Sequence, residues 1–404
     1  MSTALLKSEA PAQPLPRRVP AWVYGLGLVS VGIGAVSFGA AATASDPAPA
    51  WRALLINFLF WSSVAQGAFM WAVTFRLSRA TWSAPFNRIG QSALGFLGTS
   101  VLIFIGLFFG RRFYLPWLHT SLGDRSAWLN VPFVFLRDGI GLLALFLLAA
   151  AFVRVRRRDD LAPAGESREA REVELHRNDH RLSILGVALA LVYAVVATLI
   201  AFDLAMSLAP GWFSTLFGWY YLIGTLYAGM AALIITVVLL RRWLGLTIGA
   251  QQFQDLGNLL MAFAMAMTYF FFAQALVIWY ENLPPETVFA IPRLHVQPWG
   301  MLSWVAVWAC YLGPFFLLVV REMKENPWTL FAVSLLVFFA MWFERYLLIT
   351  PSLAPRASGF PILVPLVGAG FFGLLILTAA PLLARVPMFG PLDAQLLRER
   401  KAWQ

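Results

Sequence analysis

Ten apolar runs, each long enough to cross the hydrocarbon core of a bilayer, recur along the sequence. They fall at about 20–43, 51–75, 89–110, 131–153, 182–206, 213–240, 256–281, 298–320, 327–349 and 360–384. A spanning helix needs about 20 apolar residues. A segment in lipid must satisfy its backbone polar groups internally, so a run of that length has only the helix available to it. The pattern predicts an all-α polytopic membrane protein with about ten transmembrane helices. Charge content agrees: 12% of residues are charged, against about 25% in a soluble domain. The first run resembles a signal peptide ending at Ala42-Thr43-Ala44, but it is too long for a signal h-region and follows a Pro-rich leader. It is expected to be a retained helix.

Loop charge sets the expected orientation. One alternating set of connections holds Lys7, Arg17 and Arg18; Arg76, Arg79 and Arg88; eight arginines from Arg154 to Arg181; Arg241 and Arg242; Arg321 and Lys324; and Arg385, Arg398, Arg400 and Lys401. The other set holds only Arg52, Arg111, Arg112, Arg125, Arg293 and Arg356. The richer side is expected to be cytoplasmic, with both termini on that side. The expected divisions are a cytoplasmic N-terminal segment 1–19, helices one to four over 20–153, a charged cytoplasmic loop 154–181, helices five to ten over 182–384 and a cytoplasmic tail 385–404. A four-helix bundle on each side of the charged loop is a natural packing. The net charge of +10 follows from this loop placement and calls for no nucleic acid.

Histidine and cysteine usage bounds the redox chemistry. His119, His176, His180 and His295 all lie outside the apolar runs, so the chain offers no histidine ligands for a haem held between membrane helices. His176 and His180 are spaced i, i+4 but sit among arginines, as in a solvated loop. Cys310 is the one cysteine and reads as a small apolar packing residue. No metal site and no resident cofactor are expected.

Ionisable groups inside the runs are the functional candidates, because each costs about 2.5–3.5 kcal/mol at a helix centre. Asp203, Glu281, Glu344 with Arg345, and Arg137 with Asp138 all fall towards the outer half. Carboxylates so placed suit a proton path. The alternative is a set of structural ion pairs, in which Arg137, Asp138, Glu344 and Arg345 neutralise one another. Asp203 and Glu281 have no basic neighbour in sequence. On the cytoplasmic side Asp255 opens helix seven with Gln254 and Asn258, where an acid suits the helix dipole. Ser62, Gln66, Thr268 and Gln274 lie deeper and either join helices by hydrogen bonds or line a hydrated wire. The many Phe, Trp and Tyr side chains read mostly as lipid-facing bulk and interfacial anchors.

Several stretches resemble one family. They are Trp128-Leu129 followed by Asn130-Val-Pro-Phe-Val-Phe-Leu-Arg137, then Phe202-Asp203-Leu-Ala-Met-Ser-Leu-Ala-Pro-Gly-Trp-Phe-Ser-Thr-Leu-Phe-Gly218. Asp255-Leu-Gly-Asn-Leu-Leu260, Gln274-Ala-Leu-Val-Ile-Trp-Tyr-Glu-Asn-Leu-Pro-Pro-Glu-Thr287 and Arg293 follow in order. Over roughly 50–350 the chain resembles the NrfD-like membrane subunits of alternative complex III, a bacterial quinol:cytochrome c oxidoreductase, and within them the ActF type. The resemblance implies two four-helix bundles plus an extra helix pair. It also implies a homologous NrfD-like partner, ActC, as the better candidate for oxidising quinol or menaquinol. Haem c and iron–sulfur clusters are expected in periplasmic partner subunits, and no quinone site is assigned to this chain. Asp203 and Glu281 match acids of the signatures, and Arg137 and Arg293 match arginines. The chain departs from the family pattern at Gln254 and Asn258, where the family carries His and Lys, at Pro285 and Gln91, where it carries acids, and at Glu344, where Asp is usual. These losses favour a half-path open to the periplasm over a complete transmembrane route. Two rival readings stand beside it: a purely structural assembly anchor, which the lost polar residues at 254 and 258 favour, and an independent proton-coupled transporter, with Gly313-Pro314 and Pro365 as its interruptions.

Overall fold

A computed structural model describes residues 17–161, 168–355 and 360–388. Among these residues all regular structure is helical, and ten helices are long and apolar enough to span a membrane. The chain is a multi-pass membrane protein. In chain order the helices are α1 (Ala21–Ala42), α2 (Ala48–Leu77), α3 (Ala84–Tyr114), α4 (Val131–Leu161), α5 (Arg168–Leu204), α6 (Leu216–Leu240) and α7 (Ala250–Glu281). A short helix α8 (Pro284–Leu294) precedes α9 (Trp299–Val319), α10 (Pro327–Leu353) and α11 (Leu363–Ala384). The N-terminal segment 1–16, residues 162–167 of the charged loop, Arg356 and the tail from 389 lie outside the described residues.

The helices pack as two rings of four and a pair. In the first ring α2, α3, α4 and α5 each touch the next, and α5 returns to α2. The second is α6, α7, α9 and α10, and α1 lies along α11. The charged connection between α4 and α5 therefore joins neighbours inside one ring, so the division expected at that loop falls instead between α5 and α6. Helix α2 is central and almost wholly buried, whereas α1 and α7 are mostly exposed. Apolar side chains on the exposed faces of α1 and α7, such as Trp22, Val29, Tyr269 and Phe272, are what a bilayer solvates without cost.

Small residues set the closest approaches. A Cβ on Gly67 would lie 2.0 Å from the Thr225 carbonyl oxygen, and one on Gly229 would lie 2.3 Å from the Gly67 carbonyl carbon. The rings meet there, α2 against α6, backbone on backbone, the contact that drives helix association where lipid supplies no hydrophobic force. Asn57 is satisfied in the core: its amide donates to the Ala53 and Val364 carbonyls at 2.9 Å and its oxygen accepts from Trp342 Nε1 at 3.0 Å.

Connections of one parity are tied together, as an even alternation of spans requires. At the arginine-rich end Arg88 grips Asp160 with two bonds of 2.7 Å, Arg76 pairs with Asp179 and the Arg17 amide bonds to the Ala384 carbonyl at 2.9 Å. At the arginine-poor end Arg125 reaches the Pro210 carbonyl at 2.5 Å and Trp299 the Pro355 carbonyl at 3.0 Å. Much of the 154–181 segment is helix, continuing α4 and opening α5, with His176 and His180 exposed on α5.

Candidate functional site: two buried charge clusters and a cavity

The first cluster lies at the arginine-poor end of α4 and α5. Asp203 is wholly buried and has the cation its sequence neighbourhood lacks. Arg137 donates from Nε to Oδ2 at 2.8 Å and from Nη2 to Oδ1 at 2.5 Å, a fork-on-fork pair. Trp128 Nε1 adds a bond to Oδ1 at 3.1 Å. The guanidinium lies 3.8 Å over the Trp128 ring and 4.5 Å from the Phe133 ring centre. Asn130 caps α4 by accepting the Phe133 N–H at 3.0 Å, so one short stretch starts the helix and builds the seat for Arg137. Asp138, 1% exposed, faces the Asp203 carboxyl. Neither Asp138 oxygen finds a donor among the described residues. Two carboxyl groups thus lie beside one guanidinium that bonds only Asp203, and a bond between them exists only when one holds a proton.

The second cluster lies between α6, α9 and α10. Glu344 and Arg345 are buried and paired at 2.8 Å through Oε2 and Nη1. Oε1 of Glu344 accepts a very short bond from the Tyr220 hydroxyl, whose oxygen lies 2.7 Å from that of Tyr311. Arg345 sits 4.1 Å over the Tyr221 ring, and its Nη2 has no hydrogen-bond partner among the described residues. Tyr221 in turn bonds to Ser63 and to the Leu59 carbonyl, each at 3.2 Å.

A local irregularity brings Tyr311 into this cluster. Residues Trp308–Leu312 form one π-helical turn within α9. Pro314 has no N–H to offer the Cys310 carbonyl four residues back. The Tyr227 hydroxyl supplies the missing donor at 2.9 Å. The added residue rotates the preceding turn and seats Tyr311 against Tyr220; such bulges recur at functional positions. The Gly313-Pro314 signal thus marks a bulge in a continuous helix.

A cavity of ≈ 120 Å³ adjoins the second cluster. Its polar lining is Tyr220, Tyr311, Glu344, Gln274, Arg293 and Ser303, and the rest is apolar. Arg293, from α8, is buried and donates to the Leu347, Phe289 and Leu348 carbonyls at 3.2, 2.9 and 2.8 Å and to Ser352 Oγ at 2.8 Å. Burial draws its guanidinium down to about 9, and with four acceptors it keeps its charge at neutral pH.

The candidates therefore separate. Asp203, Asp138 and Arg137 meet in one cluster; Glu344, Arg345, Gln274 and Arg293 gather at the other. The neutralisation expected among Arg137, Asp138, Glu344 and Arg345 is split, Arg137 going to Asp203 and Arg345 to Glu344. Glu281 ends α7 as an exposed residue. Asp255 is half-buried and accepts from Gln251 at 3.2 Å. The N-cap of α7 is Gly249, whose N–H is taken by Gln252 Oε1 at 3.0 Å. Gln66 is buried within α2. Among the described residues no group of three or more His, Cys, Asp or Glu could hold a metal. The fully enclosed Tyr220, Tyr221 and Tyr311 are what sequence reasoning missed. No family model matches the chain. No curated protein matches it either.

Proposed function

We propose that the chain is an integral membrane subunit, without a redox centre of its own, of a bacterial quinol:cytochrome c oxidoreductase of the alternative complex III type. In this role it anchors periplasmic iron–sulfur and multihaem cytochrome c subunits beside a homologous NrfD-like subunit. It also holds carboxylates that exchange protons with the periplasmic side, here the arginine-poor end. The observation that carries the reading is the meeting of Arg137 and Asp203. The two stretches that most resemble the family's signatures lie 66 residues apart, and their charged residues form one buried fork. Such a pair inside a membrane protein is costly to keep and marks a site under demand.

The test is purification from the native membrane followed by turnover. Co-purification with multihaem and iron–sulfur proteins, and quinol oxidation that falls in Asp203→Asn while assembly persists, would support it. A chain that purifies alone and catalyses solute flux would refute it in favour of a transporter. A second reading, a purely structural anchor, draws on the locking of Asp203 by Arg137 and the exposure of Glu281. It predicts full turnover in every assembled Asp203 and Glu344 variant.

A further inference from the structure

The hydroxyls around Glu344 have a fixed direction. Glu344 Oε1 is an acceptor, so the single hydrogen of Tyr220 points to it. The 2.7 Å contact between the two tyrosines must then be donated by Tyr311. This leaves the Tyr311 oxygen with lone pairs to accept with, and Tyr311 lines the cavity. A cavity of ≈ 120 Å³ has room for several waters, and Gln274 and Ser303 offer them polar partners, while both Glu344 oxygens are already taken, Oε1 by Tyr220 and Oε2 by Arg345.

We propose that Tyr311 and Tyr220 form a proton relay from this cavity to Glu344, and that Glu344 is a proton-exchange site. This deepens the proton-path part of the proposed function and names residues for it. In one transfer a hydronium in the cavity gives a proton to the Tyr311 oxygen, Tyr311 passes its own hydrogen to Tyr220, and Tyr220 passes its hydrogen to Glu344 Oε1. Three O–H bonds form and three break; one positive charge moves from cavity to carboxylate and no electrons are transferred. Rotation of the two hydroxyls about their C–O bonds resets the chain.

The surrounding charges make the transfer reversible. Arg345 contacts Glu344 from its own helix, Tyr220 and Tyr221 face the pair from α6, Tyr311 and Cys310 from α9, and Arg293 lines the cavity from α8. Protonating Glu344 leaves Arg345 without its carboxylate and with Nη2 already unpartnered. A buried cation in that state is costly, so the proton is expelled again.

The experiment is rapid-mixing infrared spectroscopy of the purified full-length chain in detergent, stepping the pH downward. The expected result is a carboxylic-acid band that is absent in Glu344→Gln and forms within the mixing time in the wild type. In folded Tyr220→Phe and Tyr311→Phe the same band should form at least about tenfold more slowly. Should Glu344→Gln fail to fold, Glu344→Asp assigns the band by its shift. No Glu344 band at any pH, or a band whose rate both phenylalanine variants leave untouched, would overturn the proposal. This readout needs no partner subunit, so its failure leaves membership of the complex standing, and a chain that purifies alone would not affect it.

Discussion

Arg137 and Asp203 are joined by two hydrogen bonds, at 2.8 and 2.5 Å, with Asp203 wholly buried. Asp138 lies within the field of the same guanidinium but has no donor of its own. Two acids and one base make the three positions unequal. Losing Arg137 strands both acids, whereas losing Asp203 leaves Asp138 to serve as counter-ion. Removing one member of a buried pair costs about 3–5 kcal/mol, and Arg137→Gln should approach that range. Asp203→Asn should cost clearly less. Asp138→Asn should be neutral or stabilising by about 1 kcal/mol, since its amide can donate to Asp203. Melting temperatures of the purified chain give the order, and a larger loss in Asp138→Asn than in Arg137→Gln would contradict it.

The contact between α2 and α6 is tested by adding one methyl group. Gly67→Ala places a Cβ 2.0 Å from the Thr225 oxygen and must force the two rings apart. Gly32→Ala, in α1 with nothing within 4 Å, should gain up to about 1 kcal/mol of helix propensity. Folded yield and melting temperature should fall sharply in the first variant and hold or rise in the second. Equal behaviour would show that the rings do not touch there.

At the arginine-rich end the fork between Arg88 and Asp160 has both side chains almost fully enclosed, 1% and 3% exposed. Solvent therefore screens it little, unlike a surface pair worth about 0–1 kcal/mol. Asp160→Asn should destabilise by about 3 kcal/mol or more. Arg321→Ala, which breaks an exposed i, i+4 pair with Glu325, should fall within about 0.5 kcal/mol of wild type. The two variants, unfolded side by side, separate an enclosed pair from a solvated one.

The spans were legible because hydropathy over about 20 residues records the one property a bilayer selects. Their ends were less so. Helices α4 and α5 run on through Arg154–Arg158 and from Arg168, because a charged sequence continues a helix in water while its hydropathy falls. The partner of Asp203 was hidden by 66 residues of separation, and nothing local to Asp203 points to Arg137. The tyrosines failed for another reason. Tyr220 stands near a span end, where Tyr commonly anchors at the headgroups, and Tyr311 meets it only through the π-turn of α9. Pro314 was the visible trace of that turn, since a proline inside a helix obliges a carbonyl four residues back to find another donor.

Orientation can be read chemically because the chain has a single cysteine, fully buried in the π-turn of α9. A membrane-impermeant maleimide should leave wild-type protein unlabelled in sealed vesicles and label it only after denaturation, as expected of a thiol held away from water. In a Cys310→Ala background, cysteine at the exposed positions Asp124 and Arg242 probes the arginine-poor and arginine-rich connections. Right-side-out vesicles should label Asp124→Cys and spare Arg242→Cys; inverted vesicles should do the reverse. Labelling of both from one side would mean that an odd number of the helices between them fails to cross. The opposite assignment would place the arginine-poor end, with the Arg137–Asp203 fork and the exposed Glu281, on the cytoplasmic side. A path opening to the periplasm would then lack Asp138, Asp203 and Glu281, the carboxylates proposed for it.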